Sequence, residues 1–532
     1  MEKITAYECF TDGNLVGLRS VRGKDRLVIS EDVADLLKFL RYDGSDTLRA
    51  VWNLDMFLSP VIGKLPKPIL ERLNALDPNL DYAGHHLYYI PKYVWQVGKS
   101  RFYGIQRYWS TAEQPPATLE ELQDKADELM ETLNRIGITD PKRLSSAIAT
   151  FEDTPFGVAT YEGIPKAYDI PCWQNALQYA YEADAKEWIS NYAIGHWAAG
   201  SNEDYDICSA YGEAASKLYD LRDCEFWKSD KIGKREQGAS YGWIKGRMSI
   251  DPKMAWCSPV MDRVGQREKP GNPAGDLPEA TYTLSEVRFV ENRGIGEFRI
   301  TDGWFAKPCG GVRPRFPFKD IMVRLYEKRA ISPLASSIVK NISVSIVGKL
   351  IEKKFNGEYG KWRNDFYHSL ITADTRVKVA SFLLDNDVRE KELLSVQTDG
   401  VRLAKLVSTP KHNGMGTWRR NESAPLIVVA PGRVYTGDKK PGHLTYDEIV
   451  SMVVEHPLSK YYGKQVEHTI TFLQAKEAGD LSLVGTKELL PAHLDLNTIH
   501  LEQNREFKAL PTTGQQLLTK VFRSKPIVME VK

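Results

Sequence analysis

None of the six cysteines, Cys9, Cys172, Cys208, Cys224, Cys257 and Cys309, falls in a CxxC pair. That argues against a zinc ribbon and against a disulfide framework, and the six read as reduced thiols. The chain also lacks any window of ~18 uncharged apolar residues, so no membrane-crossing helix and no membrane partner are expected. Its first residues, MEKITAYECFTDG, hold no apolar core of signal-peptide length, and the expectation is a protein that is not secreted. An excess of one charge is missing too: 71 Lys and Arg stand against 70 Asp and Glu, a net +1. Nothing global marks a nucleic-acid partner, so any such surface must be local. There is no internal repeat and no long low-complexity tract. What is present is ordinary for a globular protein, 42% hydrophobic and 27% charged residues, a composition that excludes a disordered or fibrous chain. At 532 residues the chain exceeds the roughly 250–300 residues at which one hydrophobic core stops growing, so several lobes are expected.

Residues 1 to about 110 read as short strands and loops rich in Tyr and Trp, followed by TLEELQDKADELMETLNRIGI with apolar residues at helical spacing, which together predict a mixed α/β N-terminal lobe. The stretch 258–320 carries EKPGNPAGDLP and KPCGGVRPRFPF and is expected to form loops and short strands, as an insertion. A helical hairpin follows. FKDIMVRLYEKRA places Ile321, Met322, Leu325 and Tyr326 at helical spacing, Ser332 and Pro333 form an N-cap with proline at the first helical position, and SIVKNISVSIVGKLIEKKF continues as the second helix. Beyond it, LLSVQTDGVRLAKL sets two alternating runs around a Thr-Asp-Gly turn, with Asp399 at the tip of a β-hairpin.

Three segments carry candidate chemistry, and each has a plain structural reading beside the functional one. In the run Asp206-Ile-Cys-Ser209-Ala-Tyr211, a carboxylate at a strand end can hold a metal ion while the Ile207 carbonyl adds an oxygen; such aspartates also serve as helix caps. On the helical hairpin Arg324 and Lys328 are four apart and share a face. Lys340 lies eight residues past Ser332, about 12 Å from the turn at ~1.5 Å per residue, at a depth matching Arg324. Three cations on one groove suit a triphosphate; in isolation the better reading is that they are solvated helix charges. Thr398-Asp399-Gly400 is a common structural turn, yet two carboxylates from separate strands are what a pair of metal ions ~3.5–4 Å apart requires. Two basic stretches, Lys349, Lys353, Lys354, Lys361 and Arg363, then Arg419, Arg420, Arg433, Lys439 and Lys440, are either solvated faces or phosphate tracks.

Taken in order, these segments resemble the family B DNA polymerases. DYDICSAYG is similar to motif A, SIVKNISVSIVGK to motif B, and LLSVQTDGV to motif C; the order is the family's, and the resemblance extends over roughly residues 175–440. GTWRRNESAPLIVVAPGRVY resembles the segment after motif C that ends in K-x-Y, here Arg433-Val434-Tyr435, and FYHSLITADTRVKVASFL resembles the stretch between motifs B and C, with Thr372 and Arg376. Motif spacing points to the compact viral and plasmid, protein-primed-like branch. The chain departs from the pattern at Gln397, in place of the first aspartate of motif C, and at Val344 and Val347 in motif B, while Lys340, Ser345 and Gly348 are kept.

The resemblance implies an α+β right-hand polymerase with palm, fingers and thumb and an N-terminal RNase H-like exonuclease-type domain. The implied map is 1–195 for the N-terminal and exonuclease-like domain, 196–318 for the palm with an insertion, 319–356 for the fingers, 357–440 for the rest of the palm and 441–532 for the thumb. Asp206 and Asp399 would be catalytic, holding two Mg²⁺ (or Mn²⁺) together with Ile207. Ile207, Ser209, Tyr211, Arg324, Lys328 and Lys340 would bind the dNTP, with Tyr211 as the steric gate that excludes ribose. Ser345, Gly348, Thr398, Arg433 and Tyr435 would contact primer and template DNA, and a priming terminal protein or other replisome proteins would be partners, at a cytoplasmic, nucleoid or replication site. The exonuclease is degenerate: Ala6-Tyr-Glu8 stands where D-x-E belongs, Asp55 where a second aspartate belongs, no Tyr-x-x-x-Asp follows, and Tyr181-Glu-Ala-Asp184 replaces the Tyr-x-Gly-Gly link. Two rival readings are a primer-independent or template-independent nucleotidyltransferase, supported by the altered motif B, and a catalytically silent DNA-binding scaffold, supported by Gln397, Val344 and Val347.

Overall fold

The computed structural model describes all residues except 1–3, 13, 22–23, 42–47, 76, 78, 91–93, 110–114, 139–163, 186, 264–270, 312, 354–356, 361, 410–413, 431–432, 438–445, 456–463, 471, 493–503 and 530–532. Two compact units emerge: residues 1–161, 327–342 and 465–491 form one, and residues 162–326, 343–464 and 492–532 the other. Among the described residues no helix is long and apolar enough to cross a membrane.

The first unit is built on eight strands: β1 (Ile4–Asp12), β2 (Asn14–Val21), β3 (Lys24–Ser30), β4 (Leu48–Val51), β5 (Asp81–Tyr82), β6 (His85–Ile90), β7 (Val94–Val97) and β8 (Ser100–Gly104). Their order is β3-β2-β1-β4-β8-β7-β6-β5, parallel at β1/β4 and β4/β8 and antiparallel outward. Parallel neighbours require covered crossovers, and helices α1 (Val33–Leu40), α2 (Leu54–Ile62) and α3 (Lys67–Asn74) lie between the strands in sequence. Their apolar faces join Tyr7, Trp95 and Phe102 in one core. The long helix expected from its spacing is α4 (Leu119–Ile136): Thr118 caps it by accepting from Glu121 N, and Leu122, Ala126, Leu129, Leu133 and Ile136 are buried. The predicted α/β character of this lobe holds.

In the second unit the chain passes through α5 (Trp173–Ala183), β9 (Ile189–Asn191), β10 (Ala193–Trp197), β11 (Glu203–Ile207) and α6 (Ala210–Ser216). It then forms β12 (Cys224–Lys228), β13 (Tyr241–Ile250), β14 (Ala274–Asp276), β15 (Ala280–Thr283), α7 (Leu284–Asn292) and β16 (Gly296–Pro308). The stretch 258–320, expected as loops and short strands, therefore contains a helix and a strand of 13 residues. The reason is local. Thr283-Leu-Ser-Glu286 is a capping box, with Thr283 and Glu286 satisfying each other's backbone N–H, and the proline- and glycine-rich segments only flank these elements.

The expected hairpin follows as α8 (Lys319–Lys328) and α9 (Pro333–Lys349). Ser332 Oγ accepts from Ala335 N at 3.0 Å, the cap that the Ser-Pro pair predicts. Helix α10 (Asp365–Asp385) is buried along most of its circumference, at 14 of 21 residues, which marks it as the central helix of the unit. After it come β17 (Leu393–Gln397), β18 (Gly400–Leu403), β19 (Trp418–Arg420), β20 (Leu426–Ala430) and β21 (Arg433–Thr436). The sheet that matters most has the order β19-β11-β18-β17-β9. A second sheet, β21-β20-β10, continues through Phe522–Pro526 and Arg505–Phe507.

Candidate active site at a strand end

Alternation along β11 buries Glu203, Tyr205 and Ile207 and leaves Asp204 and Asp206 half-exposed, the period-two pattern of a strand with one packed face. Tyr205 is anchored beneath by Phe382 of α10, ring centroids 5.5 Å apart, and its hydroxyl donates to Val407 O at 3.0 Å. Phe382 in turn stacks on Trp418 of β19 at 3.9 Å. This aromatic floor fixes β11 and β19 side by side.

On the other side of β11, the hairpin β17–β18 brings its Thr398-Asp399 turn to the same sheet end. Asp206 pairs in register with Gly400, and Ile207 N donates to Asp399 O at 3.0 Å. Gly400 has a steric reason: a Cβ there would lie 3.2 Å from Tyr205 O and 3.7 Å from Asp206 Cβ. The two carboxylate-bearing residues predicted from sequence are thus neighbours across adjacent strands.

Backbone strain flanks both. Ser209 (φ 57°) and Thr398 (φ 59°) are two of five described non-glycine residues with positive φ. Such a conformation is costly for a β-branched threonine and persists where the surroundings enforce it, commonly at functional sites. At Ser209 the chain turns sharply from β11 into α6. That turn places Tyr211, half-buried, beside the site, where burial and then the charges of Glu187 and Asp399 push its phenol far above the usual tyrosine range. Glu187 had not been singled out from sequence; it precedes Trp188, whose carbonyl accepts from Thr398 N at 2.8 Å.

The donor set of Asp206, Asp399 and the Ile207 carbonyl is all oxygen and suits a hard divalent cation. It is lean: among the described residues no three His, Cys, Asp or Glu side chains group to hold a metal ion, and Gln397 adds no charge. One cation already faces it. Arg419, opposite Asp206 in the β11/β19 ladder, donates through Nε to Oδ1 at 3.1 Å and through Nη2 to Oδ2 at 2.8 Å. This bond raises the guanidinium pKa above its ordinary value.

The other expected site residues lie on other elements. Arg324 is exposed on α8 and Lys340 exposed on α9. Lys328 directs its ammonium to Arg135 O, at the last turn of α4, 3.5 Å away. Ser345 is half-buried and Gly348 exposed on α9, with nothing within 4 Å of a Cβ at Gly348. Arg433 opens β21 and Tyr435 pairs with Ile427, packing on a core that includes Ile427 and Ile449. In the basic stretches, Lys349 pairs with Glu352, Arg363 with Asp365 and Arg420 with Glu203; Lys354, Lys361, Lys439 and Lys440 lie outside the described residues. Thr372 donates to Asp184 at 3.3 Å, and His368 Nδ1 pairs with the same carboxyl at 2.9 Å. In the first unit Glu8 is half-buried on β1. Asp55 is buried at 7% exposure and accepts the Tyr89 hydroxyl at 2.9 Å, inside the apolar core.

Helix α6 is tied to α10 by a charge cluster. Glu213 pairs with Lys217 and, at 3.0 Å, with Lys378, while the adjacent Asp374 is pushed up to about 6 by burial and by Glu213, against the pull of Lys217 and Lys378. Its carboxyl keeps its proton longer in the folded chain than in the unfolded one. Stability from this group is therefore full below pH ~4 and is lost as pH rises through about 6. Asp374→Asn is expected to raise stability at pH 7.5 by about 2 kcal/mol and to leave it unchanged at pH 4, measured by denaturant titration.

No protein-family model matches the chain, and no curated protein does. Solved structures do match: the α+β architecture is that of a right-hand polymerase with an N-terminal exonuclease-type domain. Phi29 DNA polymerase in complex with primer-template DNA and incoming nucleotides is similar at TM-score 0.57 and 12% identity, over 93% of this chain and 99% of that one. Its orthorhombic crystal form gives TM-score 0.57 at 10% identity over 93% and 100%, and its post-translocation binary complex TM-score 0.53 at 12% over the same shares. At these identities the likeness establishes the fold.

Proposed function

We propose that the chain is a DNA-directed DNA polymerase that extends a primer 3′-hydroxyl with dNTPs and does not proofread. The observation that carries this is the meeting of Asp206 and Asp399 across adjacent strands, joined by the Ile207 N–H bond to Asp399 O. In support, the matching phi29 polymerase structures hold primer-template DNA and incoming nucleotides.

Asp206, Asp399 and the Ile207 carbonyl would hold the metal ions. When bound there, two Mg²⁺, or Mn²⁺ in their place, would supply activation of the 3′-hydroxyl and neutralisation of the triphosphate. Tyr211 walls the sugar site against a ribose hydroxyl, beside Ser209. Lys340, with Arg324 and Lys328, would stabilise charge developing on the phosphates. Ser345, Gly348, Thr398, Arg433 and Tyr435 position primer and template through contacts that carry no sequence information. A terminal priming protein or other replisome protein completes the set of partners. Hydrolytic proofreading is lost because Ala6 supplies no carboxylate and Asp55 is committed to Tyr89, leaving too little charge for two ions.

Primer extension on a defined template with Mg²⁺, each dNTP or NTP, and a labelled single strand tests this. Template-directed addition of dNTPs without 3′ degradation is the expected result. An absence of addition, with or without a primer or a candidate priming protein, would return the chain to the DNA-binding scaffold.

A further inference from the structure

We infer that Arg419 is an exchangeable counter-ion of the metal site: its guanidinium holds the Asp206 carboxylate and is displaced when a divalent cation binds. The inference rests on the two-metal reading proposed above and adds a residue to it that the motifs did not indicate.

The geometry is that of a fork on a carboxylate, with both Asp206 oxygens engaged, at 3.1 and 2.8 Å. A divalent ion ligated by the same oxygens meets a fixed positive charge, so cation binding and Arg419 release are coupled. The pair does not hold the sheet together, because β19 is secured without it. Arg420 forks onto Glu203 at 2.5 and 2.9 Å, Asn421 bonds Asp204 at 2.9 Å, and Trp418 stacks on Phe382. The neighbouring Asp204 has its own arginine, Arg402, at 2.8 Å. Arg419 instead has a proposed metal ligand as its partner. It is also exchangeable, since the side chains of Arg419 and Asp206 are 44% and 31% exposed, and pairs open to water are weak and screened by salt.

The chemical consequence is a higher cation threshold. Oxygen sites set their affinity by the number of ligand charges; Asp206 and Asp399 supply two negative charges, Gln397 none, and Arg419 offsets one of the two.

The test is Mn²⁺ binding to the full chain without DNA or nucleotide, read from the electron paramagnetic resonance signal of the free ion, with thermal unfolding to verify folding. Arg419→Met is expected to lower Kd by roughly two- to five-fold relative to the unmodified protein, the factor that a half-exposed ion pair allows. Arg419→Lys, a point charge without the fork, is expected to fall between them, and the gap is expected to narrow in high salt. Asp206→Asn with Asp399→Asn should abolish binding in either background. Should Arg419→Met fail to fold, Arg419→Gln takes its place. Equal Kd values for the unmodified and Arg419→Met proteins, both lost in the double carboxamide, would overturn the inference and leave the two-carboxylate site standing. Failure of every protein to bind Mn²⁺ would overturn the inference together with the site.

Discussion

On the proposed polymerase reading, Asp206→Ala and Asp399→Ala are each expected to cut primer extension by at least ~10³-fold, the several kcal/mol of transition-state stabilisation that losing a metal ligand would remove. The fold should survive both changes. The hydrogen bond that joins the two strands at this point uses Asp399 O and Ile207 N, both backbone atoms, so it persists when either side chain is cut back. Asp399→Ala leaves Thr398 N bonded to Trp188 O, and the turn keeps its frame. Asp206→Ala removes only a half-exposed ion pair with Arg419, worth about 1 kcal/mol or less. Extension assays run beside thermal unfolding separate the cases: a ~10³-fold loss with an unchanged midpoint places both carboxylates in the chemistry. Retention of extension by Asp399→Ala would show that one carboxylate suffices, and the two-metal reading would fall.

The parts of the strand end are legible in the sequence to different degrees. The Asp399 turn was readable because hairpin turns are local: alternating runs on either side of Thr-Asp-Gly define strands, and the tip follows. The helix pair around Ser332 and Pro333 was readable for the same reason. That Asp206 and Asp399 come together was suggested only by the order of three motifs, since 193 positions lie between Asp206 and Gly400, its partner in register. Arg419 was noticed as part of a basic stretch and read as a phosphate track or a solvated face. Its partner is 213 residues away, and no local pattern distinguishes an arginine facing a carboxylate from one facing water. Asp55 shows the same blindness: the sequence marks it only as standing where a second aspartate belongs, and its burial against Tyr89, 34 residues on, has no local signal. The capping box at Thr283 and Glu286 is a local pattern, masked by the proline and glycine that dominate the surrounding stretch.

That same Glu286 is the residue whose loss is expected to cost the most stability. It is fully buried, held between Arg263 at 2.8 Å and Arg376 at 2.9 Å, and it accepts further from Thr283 N and Oγ1. Burial alone would push its carboxyl up, but the two guanidinium groups win and hold it at about 2. Glu286→Gln leaves two buried arginines facing each other without a counter-ion. Removing one member of such a group costs roughly 3–5 kcal/mol, and the thermal midpoint is expected to fall by roughly 10 °C. The pH dependence identifies the cause. Because the folded carboxyl lies below its unfolded value of 4.5, its contribution is complete above pH ~4.5 and is lost as pH falls through about 2. At pH 3.5 the gap between the unmodified protein and Glu286→Gln should therefore be smaller than at pH 7, by about 1 kcal/mol, measured by denaturant titration at both. An equal gap at the two pH values would mean that the loss comes from packing and not from charge. The same arginines reach toward the site: Arg263 donates to Ala183 O and Arg376 to Ala185 O, pinning the segment that leads to Trp188 and, through its carbonyl, to the Thr398 turn. Glu286→Gln is thus also expected to lower extension at temperatures where the variant is still folded, by loosening the strand end that presents Asp399.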